Sequence, residues 1–531
     1  MPKLNRLRKF TPSTDRGAMV ASAGVVMTLG IIQKLLGFTR DILIAGFFGA
    51  AGVTDAFLVA QNLPLMVTGS ISTALGVGVL PVVTELRVKG RREEARAVAS
   101  TILNGTLVVA AALGLIGGFA AGPLVRLAAP GLAPGAVGAA AGLTRVFFAA
   151  YVFVAAGSVI GLLLNSLKEF AVPALNPIIL NVFTIAILAW LARGLGIYAP
   201  AYGFALGAVL QFLVQGLWLR RRGLPPRAAF DLRHPAVRRV LVLALPVLAA
   251  ALISGLYGVV DNWFASHLAE GSISAKAYGL KLIQMPVGIL TAGVSTVLFP
   301  TLSERAARRD EAGLADTVAF GLRTVALITI PTAVGLAVLR VPIVRALFQH
   351  GAWDQTATLR TSAVILYYAV GIFAVTASPI FLRAFQGMQD MVTPLAVGTL
   401  TAAVNIALDY ILIRRFALIG LPLANSIAAC LGIGVYYYLL SRRVHGLPGG
   451  RLAVSLLKII AAAAVMGLAV GLGRILADRL YPSPRRLVEA ATLVALILLG
   501  VLVYLAGLIA LRLDEVRSFG ALLSRLARRA R

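Results

Sequence analysis

Apolar residues run through this chain in long blocks, unlike the alternation of a half-buried strand or the narrow stripe of a surface helix. Such blocks recur at 18–48, 55–85, 98–120, 144–166, 172–191 and 199–219. They continue at 240–267, 275–303, 318–339, 361–385, 391–413 and 418–441, and end with 452–472 and 487–511. A helix of about 20 residues crosses a hydrocarbon layer and satisfies its own backbone polar groups, which lipid cannot do for it. The pattern therefore predicts an all-α integral membrane protein with ~14 transmembrane helices. The first two blocks are longer than a bilayer requires, so tilting or a break near Gly37 and Gly69 is expected. A basic N-terminus (Lys3, Arg6, Arg8, Lys9) precedes the first block. That block is long, lacks a clear cleavage site and carries Lys34 and Arg40, so it reads as a retained first helix rather than a signal peptide.

Landmarks within the blocks repeat. Asn62-Leu63-Pro64 leads to Pro81 and then Thr84-Glu85-Leu86-Arg87 with a basic loop. Gln284-Met285-Pro286 leads to Pro300 and then Ser303-Glu304-Arg305 with another. Asn176-Pro177 matches Thr393-Pro394, and Gly203 matches Gly420. The spacings, 222 and 217 residues, point to duplication of a six-helix unit. Chance alignment of Pro and Gly in apolar sequence is the alternative. The resulting organisation is two six-helix pseudo-repeated lobes plus two C-terminal helices. Its parts are an N-terminus at 1–17, a first lobe at 18–222 and a basic linker at 223–239. A second lobe at 240–443, a final helix pair at 444–511 and a basic tail at 512–531 complete it. Two lobes imply a central cavity between them.

Composition agrees: 59% of the 531 residues are hydrophobic and 13% are charged, with a mean hydropathy of +0.90. Soluble chains carry roughly twice that share of charge. The net charge of +28 does not form a nucleic-acid platform, because it sits in short clusters between apolar blocks. With both termini placed in the cytoplasm, roughly two thirds of the 49 Lys and Arg fall on the cytoplasmic side. The outer loop around Arg474–Arg486 runs against that bias.

Charges inside apolar blocks are costly and need a partner, water or a function. Lys34, Arg40 and Asp41 lie in the first block, Asp55 opens the second, and Lys281 lies in the eighth with Gln284 three residues on. Arg40 and Asp41 either pair with neighbours at the membrane interface or serve a site. Lys34 and Lys281 either snorkel to headgroups or face a cavity, where equivalent halves place them on opposite walls. Two such cations suit an anionic substrate such as a diphosphate. A second set, Asp261, Asn262, Asn405, Asp409 and Asn425, offers carboxylate and amide oxygens without His or Cys. It is a candidate Na⁺ site, a protonatable carboxylate, or an interhelical hydrogen-bond network. Asn104, Asn165, Asn176, Asn181 and the Gly157-x-x-x-Gly161 pattern read as helix packing.

Much chemistry is missing from the sequence. The four histidines (His234, His267, His350, His445) form no HExxH pair, and there is no Walker loop or dinucleotide fingerprint. Ser455-x-x-Lys458 lacks the companion motifs of a serine acyl-enzyme. The lone Cys430 has no cysteine to pair with and no metal partners. The expectation is a transporter, not an enzyme, with no cofactor beyond a coupling ion, Na⁺ or H⁺, and no nucleic-acid partner.

The run Leu36-Gly37-Phe38-Thr39-Arg40-Asp41, followed by Phe48-Gly49-Ala50 and Thr54-Asp55-Ala56-Phe57, resembles the opening signature of the MurJ (MviN) family. Leu347-Phe348-Gln349-His350-Gly351-Ala352-Trp353, Arg383-Ala384-Phe385 through Asp390, and Thr393-Pro394 are similar to that family too. The family belongs to the multidrug/oligosaccharidyl-lipid/polysaccharide exporter superfamily. The resemblance implies two six-helix lobes, a lipid-tail groove on the last two helices, and flipping of lipid II by alternating access. Lipid II is the undecaprenyl-diphosphate-linked peptidoglycan precursor. The implied setting is a monomer among the lipids of the bacterial inner membrane, with both termini cytoplasmic. Family cavity arginines match Lys34, Arg40 and Lys281, and a family aspartate matches Asp55. A family arginine is Thr68 here and a family glutamate is Gln284, so the resemblance implies a head-group site with altered charge. Rival expectations are a flippase for another lipid-linked oligosaccharide or polysaccharide unit, a drug/cation antiporter of the same superfamily, and a scaffold that transports nothing.

Overall fold

In the computed structural model, residues 15–444, 446–447, 449–480 and 486–512 are described; for 15–23, 289–297 and 486–487 this extends to the backbone alone. The basic N-terminal residues, His445, Arg485 and most of the tail at 512–531 lie outside them. The described residues form helices and short connections, with no strand. By packing they divide into two compact units, Met1–Gly271 and Ser272–Arg531.

The first unit holds α1 (Asp15–Phe48), α2 (Gly52–Val88), α3 (Arg92–Phe119), α4 (Ala121–Ala128), α5 (Pro134–Ser166), α6 (Ala171–Ala174), α7 (Asn176–Leu195), α8 (Tyr198–Arg221) and α9 (Pro235–Ser266). Helix α5 is its centre, packing on α2, α3 and α8, while α7 lies on α8 and α9 lies along α2. Val79, Val83, Val98, Ile160 and Leu163 are buried in the core these helices share. The basic linker before α9 is pinned to α3. Asn104 donates to the Arg227 and Ala229 carbonyls (2.8 and 3.0 Å), and the Arg227 and Asp231 amides donate to Ser100 and Thr101. That anchoring holds α9 within the first unit.

The second unit holds α10 (Ser272–Ala307), α11 (Glu311–Phe348), α12 (Gln355–Gly387), α13 (Val392–Phe416), α14 (Gly420–Ser441), α15 (Gly449–Leu480) and α16 (Arg486–Ala510). Helix α12 packs on α10, α11 and α14 around Leu302, Val318, Phe381 and Phe385. Helices α15 and α16 pack on each other and on α11, where the Tyr504 hydroxyl donates to the Leu327 carbonyl at 2.8 Å. The N-termini of α11 and α12 are closed by Asp310 and Asp354, whose carboxylates accept the Gly313 and Ala357 amides.

Eleven segments among the described residues are long and apolar enough to cross a membrane; one of them, Val392–Ser441, contains both α13 and α14. Large apolar side chains stay exposed on their outer faces, including Trp190, Leu468 and Leu502. In water such faces are a liability, and in lipid they are not. Of the tilting or break expected near Gly37 and Gly69, no break is present: helices α1 and α2, of 34 and 37 residues, run continuously, and Pro64 and Pro81 are carried inside α2.

The duplication is written in the backbone as well as in the sequence. Left-handed residues recur in pairs: Gly49 with Gly271, Gly90 with Arg309, Lys168 with Gln389, Gly196 with Ala417, and Gly223 with Gly446. Positive φ marks a chain reversal after a helix. Equivalent helices therefore end in equivalent ways in both halves, even where the second half uses a side chain that disfavours the conformation.

Candidate substrate and cation sites

Among the described side chains of α1, the charges divide into a satisfied pair and a solitary cation. Arg40 Nε and Nη2 donate to Asp41 Oδ1 at 3.1 and 2.8 Å, and Arg40 Nη1 donates to Asn181 Oδ1 on α7 at 3.1 Å. Adjacent helix residues do not face each other, so the long arginine stem must curl back to make this pair. Asp41 is buried and Arg40 half-buried, so the pair is largely shielded from water. Gly37, one turn before Asp41, faces the Asn181 amide, which a Cβ there would only touch at 3.6 Å. Arg40 and Asp41 thus pair with each other and with Asn181. Lys34 is exposed and makes no hydrogen bond or ion pair among the described residues. A lone ammonium in an apolar helix is able to take an anion.

Asp55 sits buried in the first turn of α2, where the helix dipole favours a carboxylate. Its Oδ2 accepts the Gly271 amide at 2.8 Å, tying the end of the α9 connection to the start of α2. Thr68 is buried, and its hydroxyl donates to the Pro64 carbonyl of its own helix at 2.7 Å. The Gly157 and Gly161 pattern does serve close packing, but its partners are the buried amides of Gln211 and Gln215 on α8.

On the second unit, the Lys281 ammonium lies over the Tyr278 ring, 5.2 Å from its centroid. Tyr278 is fully buried against Phe348 and Trp353, with centroids 5.2 and 5.3 Å away, and Trp353 Nε1 donates to the Thr358 hydroxyl. The 347–353 motif thus forms an aromatic floor one turn before Lys281. Gln284, the next turn, is exposed, and Lys276 is buried near the start of α10. The 383–394 motif has a different task. The Val392 and Thr393 amides donate to Asp390 Oδ1, and Arg443 pairs with Asp390 Oδ2. Burial works to raise this carboxyl, but the Thr393 hydrogen bonds and the Arg443 charge prevail and bring it down to about 2. Asp310 is also held below the usual carboxylate range, first by the Gly313 amide and then by Arg305.

The hard-oxygen set is described unit by unit. Asn405 and Asp409 are buried one turn apart on one face of α13, and Asn425 is half-buried on the adjacent α14. Asp261 and Asn262 lie on α9 of the first unit, half-buried and buried. No cluster of three or more His, Cys, Asp or Glu forms among the described residues. A cation held here would draw on amide as well as carboxylate oxygens, a donor set that fits Na⁺ and not a transition metal.

Two roles were not read from the sequence. Asn181 read as one packing amide among four, and only the α1–α7 contact shows it to be the partner of Arg40. Tyr278 had a local signal, since it stands three residues before Lys281 and so shares its helix face.

Residues 44–483 match the family model described as Lipid II flippase MurJ. The chain is 29% identical to the probable lipid II flippase MurJ of Vibrio cholerae, covering 79% of this chain and 82% of that protein. It is also 29% identical to the lipid II flippase MurJ of Burkholderia cenocepacia, over 76% and 80% of the two chains. Among solved structures, it is similar to lipid II flippase MurJ in an inward closed conformation, with a TM-score of 0.76, 26% identity, and 92% and 98% coverage. An inward-facing multidrug transporter of the MATE family aligns with a TM-score of 0.66 at 17% identity over 80% of this chain and all of that one, a likeness of fold. With the family model spanning most of the sequence, the chain belongs to the MurJ lipid II flippase family.

Proposed function

We propose that this protein is a transporter that moves lipid II across the bacterial cytoplasmic membrane by alternating access. Membership of the family supports the substrate class, and the observation that carries the mechanism is Lys34: a cation retained in an apolar span with no protein partner among the described residues. Such a charge is costly unless an anion or water meets it. Lys281 is its counterpart on the second unit, aimed by Tyr278. Both would attract the diphosphate as point charges. Arg40, closed onto Asp41 and Asn181, shapes the site more than it grips substrate.

Several finer points belong to the same reading. The chain crosses the membrane fourteen times, counting α13 and α14 separately and including α1 and α10, which are 34 and 36 residues long. Both termini lie in the cytoplasm, as the basic loops favour. The two lobes do the rocking, with α9 moving with the first unit to which it is anchored; α15 and α16 carry the lipid tail, and the protein works as a monomer. A Na⁺ ion or a proton near Asp261, Asn405, Asp409 and Asn425 favours one state, by no more than its difference in affinity for the two. Thr68 and Gln284 support one second reading, a related lipid-linked sugar as cargo, because neither brings a charge to the head group.

Depletion of the protein in its own cell tests the proposal. Lipid II is expected to become inaccessible on the outer face while it accumulates inside. Normal outer-face accessibility in a cell with no other flippase would refute it.

A further inference from the structure

On the first unit, α2, α3, α9 and the linker before α9 enclose an apolar groove of about 550 Å³. Leu75 of α2, Ile102 and Val109 of α3, Phe230 of the linker, and Leu241 and Leu245 of α9 line it. Val109, Phe230, Leu241 and Leu245 are exposed, so the lining itself opens onto the outer, lipid-facing surface. Gly105 stands in the α3 wall, and a Cβ built there would meet no atom within 4 Å, so its missing side chain is part of the open space. Along α9 the lining runs from Arg238 to Leu248, a rise of about 15 Å. That is the depth of one leaflet, half of a hydrocarbon layer of about 30 Å. Arg238 lies in the first turn of α9 and so marks the end of the groove nearest the linker.

The elements bounding the groove lie wholly among the described residues, and the acids at its linker end are already engaged. Glu85 pairs with Lys89 and Arg239, Glu93 with Arg96 and Arg227, and Glu94 with Arg91 and His234. Asp231 Oδ1 accepts the Arg233 and His234 amides, each at 3.1 Å. Arg238 is exposed and makes no side-chain hydrogen bond or ion pair among the described residues. A guanidinium at the mouth of an apolar groove one leaflet deep fits an acidic amphiphile. A small soluble anion would leave the groove unfilled, and a choline lipid would bring a second cation beside the arginine. We propose that this groove seats an acyl chain of an acidic phospholipid of the phosphatidylglycerol class, with its phosphodiester on Arg238. Such a lipid would fasten α9 to α3 below the linker.

The test is photo-crosslinking of the full chain in dioleoyl phosphatidylcholine vesicles. These carry a trace of phosphatidylglycerol, or of phosphatidylcholine, with a diazirine in one acyl chain, and the adducts are mapped by peptide mass spectrometry. On the wild type, the glycerol lipid should label the groove walls at 101–109 and 238–248 about five times as strongly as the choline lipid, the worth of one basic side chain near an anionic head group. Around Trp190, on the exposed face of α7, the two lipids should label alike. Arg238→Gln should bring the groove ratio close to the Trp190 ratio. Gly105→Phe, and independently Gly105→Leu, should suppress groove labelling by both lipids. Equal labelling of the wild-type groove by the two probes overturns the proposal. So does groove labelling by the glycerol lipid that is unchanged in Arg238→Gln and in whichever Gly105 variant keeps the wild-type melting temperature, or adducts at the groove that join two copies of the chain in place of lipid.

Discussion

Gly196 and Ala417 close equivalent helices, α7 and α13, with nearly the same backbone: φ 54°, ψ −139° at Gly196 and φ 48°, ψ −129° at Ala417. This is the mirror image of an extended conformation, open to glycine and strained for any residue with a Cβ, at about 1–3 kcal/mol. A Cβ built on Gly196 would meet no atom within 4 Å, so Gly196→Ala isolates the backbone cost from any clash. Against that cost stands the smaller entropy of the unfolded alanine chain, about 0.4–1 kcal/mol. Gly196→Ala should therefore destabilise by roughly 1–2 kcal/mol, and Ala417→Gly should stabilise by a similar amount. For a unit of this size the expected shifts in melting temperature are about 2–6 °C, in opposite directions. Thermal unfolding of the detergent-purified variants reads them, and the double variant should return close to the wild type. Shifts of the same sign, or none in either variant, would refute the argument that both halves inherit one turn and one of them fills it poorly.

Four further outcomes follow from named contacts. Arg40→Met and Asn181→Leu should each lower the melting temperature, and the pair should be non-additive by about 1 kcal/mol, because both remove the same hydrogen bond; additive losses would deny the contact. Gly271→Ala should be worse than Asp55→Ala, since a Cβ on Gly271 (φ 83°) would stand 2.1 Å from the Ala50 carbonyl as well as disturbing the bond to Asp55. For Asp390 the folded carboxyl is lowered, to about 2, so its contribution is present above the usual carboxylate value of about 4 and is lost as pH falls through about 2. Wild type should accordingly outlast Asp390→Asn at pH 7, and melting curves should converge only on the acid side. Lys281→Arg should support growth in a complementation assay where Lys281→Met does not, a split that loss of packing alone would not produce.

The helices were legible because lipid leaves the backbone few choices: a long apolar block without strand alternation must close its hydrogen bonds internally. The repeat was legible at its proline and glycine landmarks, and the paired left-handed residues show the physical cause, a chain reversal that each half must make in the same place. Other features depend on distant sequence. Nothing near Arg40 announces Asn181, 141 residues away, as its partner. The linker at 223–239 reads as a basic connection, and its anchoring to Asn104, Ser100 and Thr101 emerges only when α3 is in place. The short helix α4 is too brief for a membrane pattern to reveal it. Of the candidate site, the kind of charge could be read in advance. Which cations were already neutralised could not, because Lys34 and Arg40 look alike until their neighbours are known.

Transport itself gives the most direct test. Purified protein is placed in vesicles with lipid II in both leaflets, and an impermeant enzyme is added that modifies the exposed head group. The account predicts that the inner-leaflet pool becomes accessible much faster than in protein-free vesicles, and that Lys34→Met with Lys281→Met removes the acceleration while the protein stays folded. Accessibility no faster than in empty vesicles, or undiminished in the double variant, would contradict it.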